Sequence, residues 1–444
     1  MKKLINTPCG EIRGSESASE GVLAFKGIRY ATAGRWEYPK QVTGWEGVYD
    51  ATEYGNCSYQ PRAFYNEEEN LKKIFYYNEF RKGESYTYSE DCLFLNLWTP
   101  ASATPEDKLP VIVYIHGGGF TGGCGHEKHF DGPVWPTKGV VAVTVNYRLG
   151  PMGFVCLPEL TEEAGHCGNY GLFDQITAIK WVKDNVSAFG GDPEKITIMG
   201  QSAGAMSVQH LCESPLTEGL FRSAVMSSGC GMNGILISTP DKVYPFWQEL
   251  MARLECATLE EFRAISPERL FAEWQRAKKE IKGGAMATFP VKDGLLIADE
   301  AAPRSMPYII GSNSHDMAPP VLYSMAKGYG KGRLPDLYVY HFDRMLPGDK
   351  NGAWHSADLW YWFGTLKNCW RPMEQKDYDL SDKMTTYLCN FAKNGRPGGE
   401  NEAEWTSHFE SKKTMILGEG ECRMDNPSVL KMTATMLTNK AVGE

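Results

Sequence analysis

The sequence predicts an α/β fold in which a mostly parallel sheet is flanked by helices, and three observations carry that reading. Strand-like and helix-like segments alternate through the middle of the chain. A Gly-x-Ser-x-Gly pentapeptide stands at one strand-to-helix junction. No linker rich in Ser, Gly or charge divides the 444 residues, which favours one continuous core with a helical insertion rather than several domains. The elements follow in order. Residues 109–116 are β-branched and aromatic and end in glycines, so they read as a buried strand, and 140–147 read the same way. Between 172 and 186, Leu172, Ile176, Ile179, Val182 and Val186 recur at helical spacing. Residues 195–199 are a further strand and 202–212 a helix. The stretch 239–280 differs, with three helix starts at Thr239-Pro240, at Thr258 with Glu261 as a capping box, and at Ser266-Pro267. It reads as a helical insertion, about 239–285, beside the sheet. Residues 308–310 and 337–342 are two more strands. Residues 381–393 form a helix stopped by Gly395, with Met384, Tyr387, Leu388 and Phe391 on its inner face.

Composition narrows the function classes. Apolar residues are 42% and charged residues 23%, ordinary for a globular chain and unlike a disordered or fibrous one. Lys and Arg number 46 and Asp and Glu 55, a net charge of −9, so neither nucleic acid nor an anionic membrane surface is an expected partner. No apolar run reaches the ~18 residues of a membrane span, and no secretory signal opens the sequence. The twelve cysteines include no Cys-x-x-Cys pair. They read as reduced thiols of a cytoplasmic protein, although a secreted chain with its signal trimmed has the same appearance.

The chemistry is concentrated at Gly200-Gln201-Ser202-Ala203-Gly204, the only Gly-x-Ser-x-Gly in the chain. A serine on a tight strand-to-helix turn adopts strained backbone angles. Small flanking residues let strand and helix approach, and the turn aims the Ala203 N–H at a reacting carbonyl. His116-Gly117-Gly118-Gly119-Phe120, directly after a strand, supplies N–H groups that come close to a developing oxyanion. Gly117, Gly119 and Gly122 also fit Gly-x-Gly-x-x-Gly, but a dinucleotide fingerprint needs a helix next, and Pro133 follows instead. Cys124, His126, His129 and Asp131 match no zinc spacing and read as a solvated loop, so no metal or organic cofactor is expected. A serine hydroxyl needs a base, and the base an orienting acid. Of the later histidines, His355 lies on a glycine-containing loop after a strand, His341 lies inside a strand, and His315 and His408 are alternatives. For the acid, Asp316 follows the strand at 308–310, with Asp343 and Asp299 as runners-up.

Taken together the sequence resembles the type-B carboxylesterases, the cholinesterase-like branch of the α/β-hydrolases. The likeness runs through residues 25–30 (FKGIRY), 90–98 (EDCLFLNLW), 146–150 (NYRLG), 169–175 (NYGLFDQ), 189–193 (FGGDP), 214–221 (SPLTEGLF), 311–316 (GSNSHD), 355–364 (HSADLWYWFG) and 390–395 (NFAKNG), besides the two glycine motifs. The resemblance implies Ser202 as nucleophile, His355 as base and Asp316 as acid. It implies Gly118, Gly119 and Ala203 as oxyanion donors, and Ser228 as a partner of the acid. It implies hydrolysis of small or aryl carboxylic esters through an acyl-enzyme. A lipase, an amidase and a non-catalytic adhesion protein are the competing readings, and the oligomeric state is left open.

Four departures from the family pattern stand out. Gln201 replaces the usual Glu of the elbow. Asp316 replaces the more common Glu. Only 39 residues separate Asp316 from His355, where the family holds a longer helical segment, so a more open site is expected. Residues 57–92 contain no tryptophan, where cholinesterases place a cation-binding one; Tyr65, Phe75, Tyr76 and Tyr77 are the candidates to substitute for it. Cys57 and Cys92 match a disulfide of secreted relatives and are expected here as two thiols. Trp354, Trp360, Trp362 and Trp370 are expected as core packing.

Overall fold

A computed structural model describes residues 3–71, 73–300, 302–399, 403–419 and 422–438. Its sheet begins with strands β1 (Lys3–Thr7), β2 (Gly10–Glu16), β3 (Val22–Arg29) and β4 (Phe94–Pro100), with helix α1 (Ile74–Phe80) between β3 and β4. It continues with β5 (Leu109–Ile115), β6 (Val141–Val145), helix α2 (Tyr170–Asn185), β7 (Gly191–Gln201), helix α3 (Ala203–Glu213) and β8 (Ser223–Ser227). Helices α4 (Pro240–Arg253), α5 (Leu259–Ala264) and α6 (Pro267–Glu280) follow. The last part holds β9 (Tyr308–Asn313), α7 (Pro319–Gly328), β10 (Leu337–Asp343), α8 (Leu359–Phe363), α9 (Gln375–Asn394), β11 (Thr414–Gly418), β12 (Arg423–Asp425) and α10 (Val429–Thr438).

The strands run β1-β2-β3-β4-β6-β5-β7-β8-β9-β10-β11-β12, with Val48–Asp50 added alongside β2. From β6 to β11 every pairing is parallel, while the strands at both edges are antiparallel. This is the α/β-hydrolase arrangement the sequence predicts. A parallel sheet must be covered on both faces because its crossover helices lie on both. Strand β5 shows why its sequence is apolar throughout. Val111, Val113 and Ile115 join the core on one face, and Ile112 and Tyr114 join the core on the other.

The helical segment after β8 forms as three helices. Thr258 and Glu261 make the reciprocal capping box, and Ser266 accepts from the Arg269 N–H. Thr239 makes no side-chain cap, so α4 relies on Pro240 at its first position. These helices pack a third apolar cluster around Trp247, Phe271 and Trp274 with Trp36 and Met152. Helix α9 starts six residues before the predicted 381, because Glu374 and Asp377 cap it reciprocally. Residues 116–125 form turns and loop rather than a helix, which disposes of the dinucleotide fingerprint.

Two sequence expectations are corrected here. The loop at 124–131 is not solvated: Cys124, His126, Glu127 and His129 are all buried. The reason lies outside the loop. Tyr54 stacks on His126, Phe80 lies against His129, and Arg62 pairs with Glu127 at 2.5 Å. The tryptophans also divide. Trp354, Trp360 and Trp362 are core, but Trp370 is exposed, with its indole N–H donating to Glu79.

Candidate active site

The parallel strands end along one edge of the sheet, where ligand sites of open α/β sheets form. Ser202 sits between β7 and α3 at φ 56° and ψ −125°, a conformation costly for any residue with a Cβ. It is over-determined by its surroundings. The Ser202 N–H donates to the Ser227 carbonyl, and its carbonyl accepts from Met206. The flanking glycines are required by close approach. A Cβ at Gly200 meets the Gly204 carbonyl at 2.3 Å, and one at Gly204 meets that of Ile115 at 2.1 Å.

The loop after β9 and the loop after β10 bring Asp316 to His355. The His315 N–H donates to the Ala353 carbonyl at 3.0 Å, and His315 and Trp354 form an isolated parallel bridge. One residue beyond each, Asp316 Oδ1 lies 2.5 Å from His355 Nδ1. The carboxylate is held from behind by the Asn313 and Met317 N–H groups, at 3.1 and 2.9 Å. Burial alone raises an aspartate. Here His355 first, then Ser228 and the Asn313 N–H, outweigh it and leave Asp316 below its ordinary value. Burial likewise pulls the His355 imidazole down, but the Asp316 charge and hydrogen bond leave it above the ordinary 6.5. Such a pair can fix one imidazole tautomer and stabilise its protonated form. Asp316 is thus the acid that reaches His355, while Asp299 is exposed and beside Lys292. His341 is a buried residue of β10, pushed to about 4 by burial.

Ser228 lies where the resemblance puts it. It takes a positive φ of 55° beside Asp316, and its hydroxyl helps lower the acid, though it falls short of formed hydrogen-bond geometry. The glycine loop lies across from the elbow. Gly118 and Gly119 take φ 114° and 62°, and a Cβ at Gly118 meets the Gly122 carbonyl at 2.1 Å. Among the described residues, no protein acceptor takes the N–H groups of Gly118, Gly119 or Ala203. They are free to hold an anion. Gly118→Ala should therefore push the loop and its N–H groups out of place, lowering kcat about 10²- to 10³-fold and the melting temperature by several degrees, with the protein still folded at assay temperature. Steady-state kinetics beside a melting curve checks this, and a folded variant with wild-type kcat contradicts it.

Two neighbours of the base make contacts that the sequence reading does not anticipate. Gln201, which stands where the family pattern has Glu, places its Nε2 3.2 Å from His355 Nε2. That is the hydrogen bond the base makes on this side, with Ser202 next along the chain lining the same cavity. Such catalytic contacts often tighten only around substrate. Asp358, three residues after His355, is fully buried and accepts from Ser227, Tyr340, Trp362 and Asn313. Burial and, more weakly, Asp316 raise its carboxyl above the ordinary value. The i+3 spacing from the base is the only signal that points to it.

Ser202, His355 and the glycine loop open on one cavity of about 760 Å³. Phe289, Met206, Leu236, Tyr76 and Trp354 give it apolar walls, so Trp354 borders the site as well as the core. Tyr65 also lines it, whereas Phe75 packs edge-on against Trp354 and Tyr77 donates to Glu68 outside. Arg62, Arg81, Glu67 and Glu127 stand at one end as paired charges. Cys57 and Cys92 are both free thiols.

Comparison with known proteins agrees with this architecture. The sequence matches the carboxylesterase family over residues 1–332 and 323–434. It is 30% identical over 491 aligned positions to the para-nitrobenzyl esterase of Bacillus subtilis, covering 96% of each chain. A solved para-nitrobenzyl esterase structure superposes with a TM-score of 0.80 at 26% identity, over 98% of this chain and 99% of that one. An esterase of Clostridium hathewayi shares the fold with a TM-score of 0.82 at 24% identity, over 98% and 97%.

Proposed function

Because the chain belongs to the carboxylesterase family, a family of carboxylic ester hydrolases, we propose that Ser202, His355 and Asp316 are the triad through which it cleaves small-molecule esters. The observation that carries the assignment is the 2.5 Å Asp316–His355 pair beside the strained Ser202 turn, on one cavity with three free N–H donors. Ser202 Oγ attacks the ester carbonyl as its proton passes to His355 Nε2. The N–H groups of Gly118, Gly119 and Ala203 hold the resulting oxyanion. Collapse expels the alcohol, which leaves with the proton from His355. Water then attacks the acyl-enzyme, His355 takes its proton, and the carboxylic acid leaves as Ser202 regains a hydrogen. Burial keeps Asp316 from solvent, so its charge acts on His355 with little screening.

The apolar walls favour neutral aryl or alkyl groups on both sides of the ester. A cationic alcohol finds little here. The site aromatics from the 57–92 segment are Tyr65, Tyr76 and Phe80 rather than tryptophan, and the two glutamates at the charged end are already paired with arginines. We expect kcat/KM for p-nitrophenyl butyrate or phenyl benzoate to exceed that for butyrylcholine by at least about tenfold, roughly 1.4 kcal/mol of discrimination. An ester panel that varies acyl and alcohol groups independently measures this. Equal values for cationic and neutral alcohols overturn the substrate reading, and no turnover of any ester overturns the assignment. Residues 1–444 are read as one domain. Among the described residues, no helix is long and apolar enough to cross a membrane.

A further inference from the structure

Behind the glycine loop lies a cluster that ester hydrolysis does not use. Cys57, Cys124 and His126 place one sulfur, one sulfur and one ring nitrogen all within 4.8 Å of one another. Cys57 Sγ is 3.5 Å from His126 Nε2. Cys57 is 0% exposed, Cys124 1% and His126 8%. The sequence alone could not group them, because Cys57 lies 69 residues before His126. Cys57 is on a two-residue strand, Cys57–Ser58, paired with Tyr88–Ser89, while Cys124 and His126 follow the glycine loop.

We propose that Cys57, Cys124 and His126 form a structural site for a single thiophilic divalent ion of the zinc class. Two sulfurs and an imidazole suit Zn²⁺ and disfavour the oxygen-seeking Mg²⁺ and Ca²⁺. Charge argues the same way. The surrounding Arg62, Arg81, Glu67 and Glu127 already pair with one another. Two thiolates and one divalent cation therefore add no net charge to a buried region, whereas a monovalent ion leaves one negative charge uncompensated. The Arg62 guanidinium also donates to Cys124 Sγ at 3.8 Å and so fixes the position of that sulfur. The His126 ring is fixed by stacking on Tyr54, 4.5 Å between centroids and 11° from parallel. Binding forms two metal–sulfur bonds and one metal–nitrogen bond, and both thiol protons leave to solvent. Three protein ligands leave a tetrahedral ion one position for water.

The ion would act as a clasp. Gln60, three residues after Cys57, donates to the Gly123 carbonyl at 3.0 Å and accepts from the Gly123 N–H at 2.9 Å. Gly123 precedes Cys124 and follows directly on Gly122, whose N–H closes the turn onto the Gly118 carbonyl. The site therefore ties two distant segments together at the base of the glycine loop.

The test uses the full chain purified in reductant, stripped with chelator, then loaded with Zn²⁺ and gel-filtered. One zinc retained per chain, two protons released per ion and a melting temperature raised by several degrees are expected. Loading with Cd²⁺ counts thiolates by their ultraviolet charge-transfer absorption and requires no variant. Cys57→Ser and Cys124→Ser should each lose the retained ion. Cys156→Ser should keep it, because the Cys156–Cys167 pair, 3.0 Å apart, brings two sulfurs together away from the proposed site and so controls for unspecific thiol binding. No retained ion in folded wild type, retention that survives both Cys57→Ser and Cys124→Ser, or the absence of a cadmium–thiolate band overturns the proposal.

Discussion

Ser202→Ala should lower kcat/KM for p-nitrophenyl butyrate on the order of 10⁴- to 10⁶-fold and abolish labelling by a fluorophosphonate probe. The size of the effect follows from the division of labour. Without the hydroxyl no acyl-enzyme forms, and His355 has no proton to take from the nucleophile. What survives is the binding and polarisation offered by the N–H groups of Gly118, Gly119 and Ala203. The fold should not suffer. The cost of φ 56° is a backbone cost that alanine bears as serine does, and the N–H and carbonyl bonds of residue 202 are unchanged. The melting temperature should stay within about 1–2 °C of wild type, as for a substitution of under ~0.5 kcal/mol. Activity within tenfold of wild type in a folded variant would falsify the assignment of the nucleophile.

Asp316→Asn should lower kcat about 10⁴-fold. It should also move the acid limb of the pH profile. The base works when neutral, so activity falls as pH drops through the His355 pKa. In the wild type that pKa lies above 6.5, because Asp316 at 2.5 Å outweighs burial. The limb should therefore lie above 6.5. Removing the charge leaves burial as the main influence, and burial disfavours the imidazolium. The residual activity of Asp316→Asn should then persist to lower pH than the wild type. A backbone defect alone gives no such shift. Asp316→Glu separates the two further, since it restores the charge at a longer reach and should recover part of the rate. A kcat/KM profile measured over the neutral and acidic range is decisive. An unmoved limb in the Asn variant removes Asp316 from its role.

The three proposed triad residues were legible in sequence because each stands on a loop directly after a parallel strand, and those strands announce themselves by unbroken apolar runs. Ser202 carried the clearest mark, since its turn demands glycines two residues to either side. Asp316 was legible by position rather than by type. Gln201 and Asp358 were not, for a physical reason. What matters about Gln201 is the 3.2 Å it keeps from His355, and what matters about Asp358 is four donors drawn from three strands and one helix. No local pattern encodes either. The loop at 124–131 failed in the same way. Its polar composition suggests solvent, but Tyr54, Arg62 and Phe80 arrive from elsewhere in the chain to cover it. The antiparallel edge strands β1 and β2 were missed because half-exposed strands of mixed composition carry weak periodicity.

The strand order also sets a timetable for synthesis. Strand β7 enters between β5, already made, and β8, made directly after it. A chain emerging from the ribosome can therefore complete the glycine loop and the Ser202 turn while the C-terminal half is still unsynthesised. Strands β9, β10 and β11 then add in succession to one growing edge, delivering Asp316 and afterwards His355. For the interval between, β8 is an exposed parallel edge, apolar on both faces. A nascent chain stalled there has its nucleophile but no base, and its hazard is pairing with a neighbouring chain rather than premature chemistry.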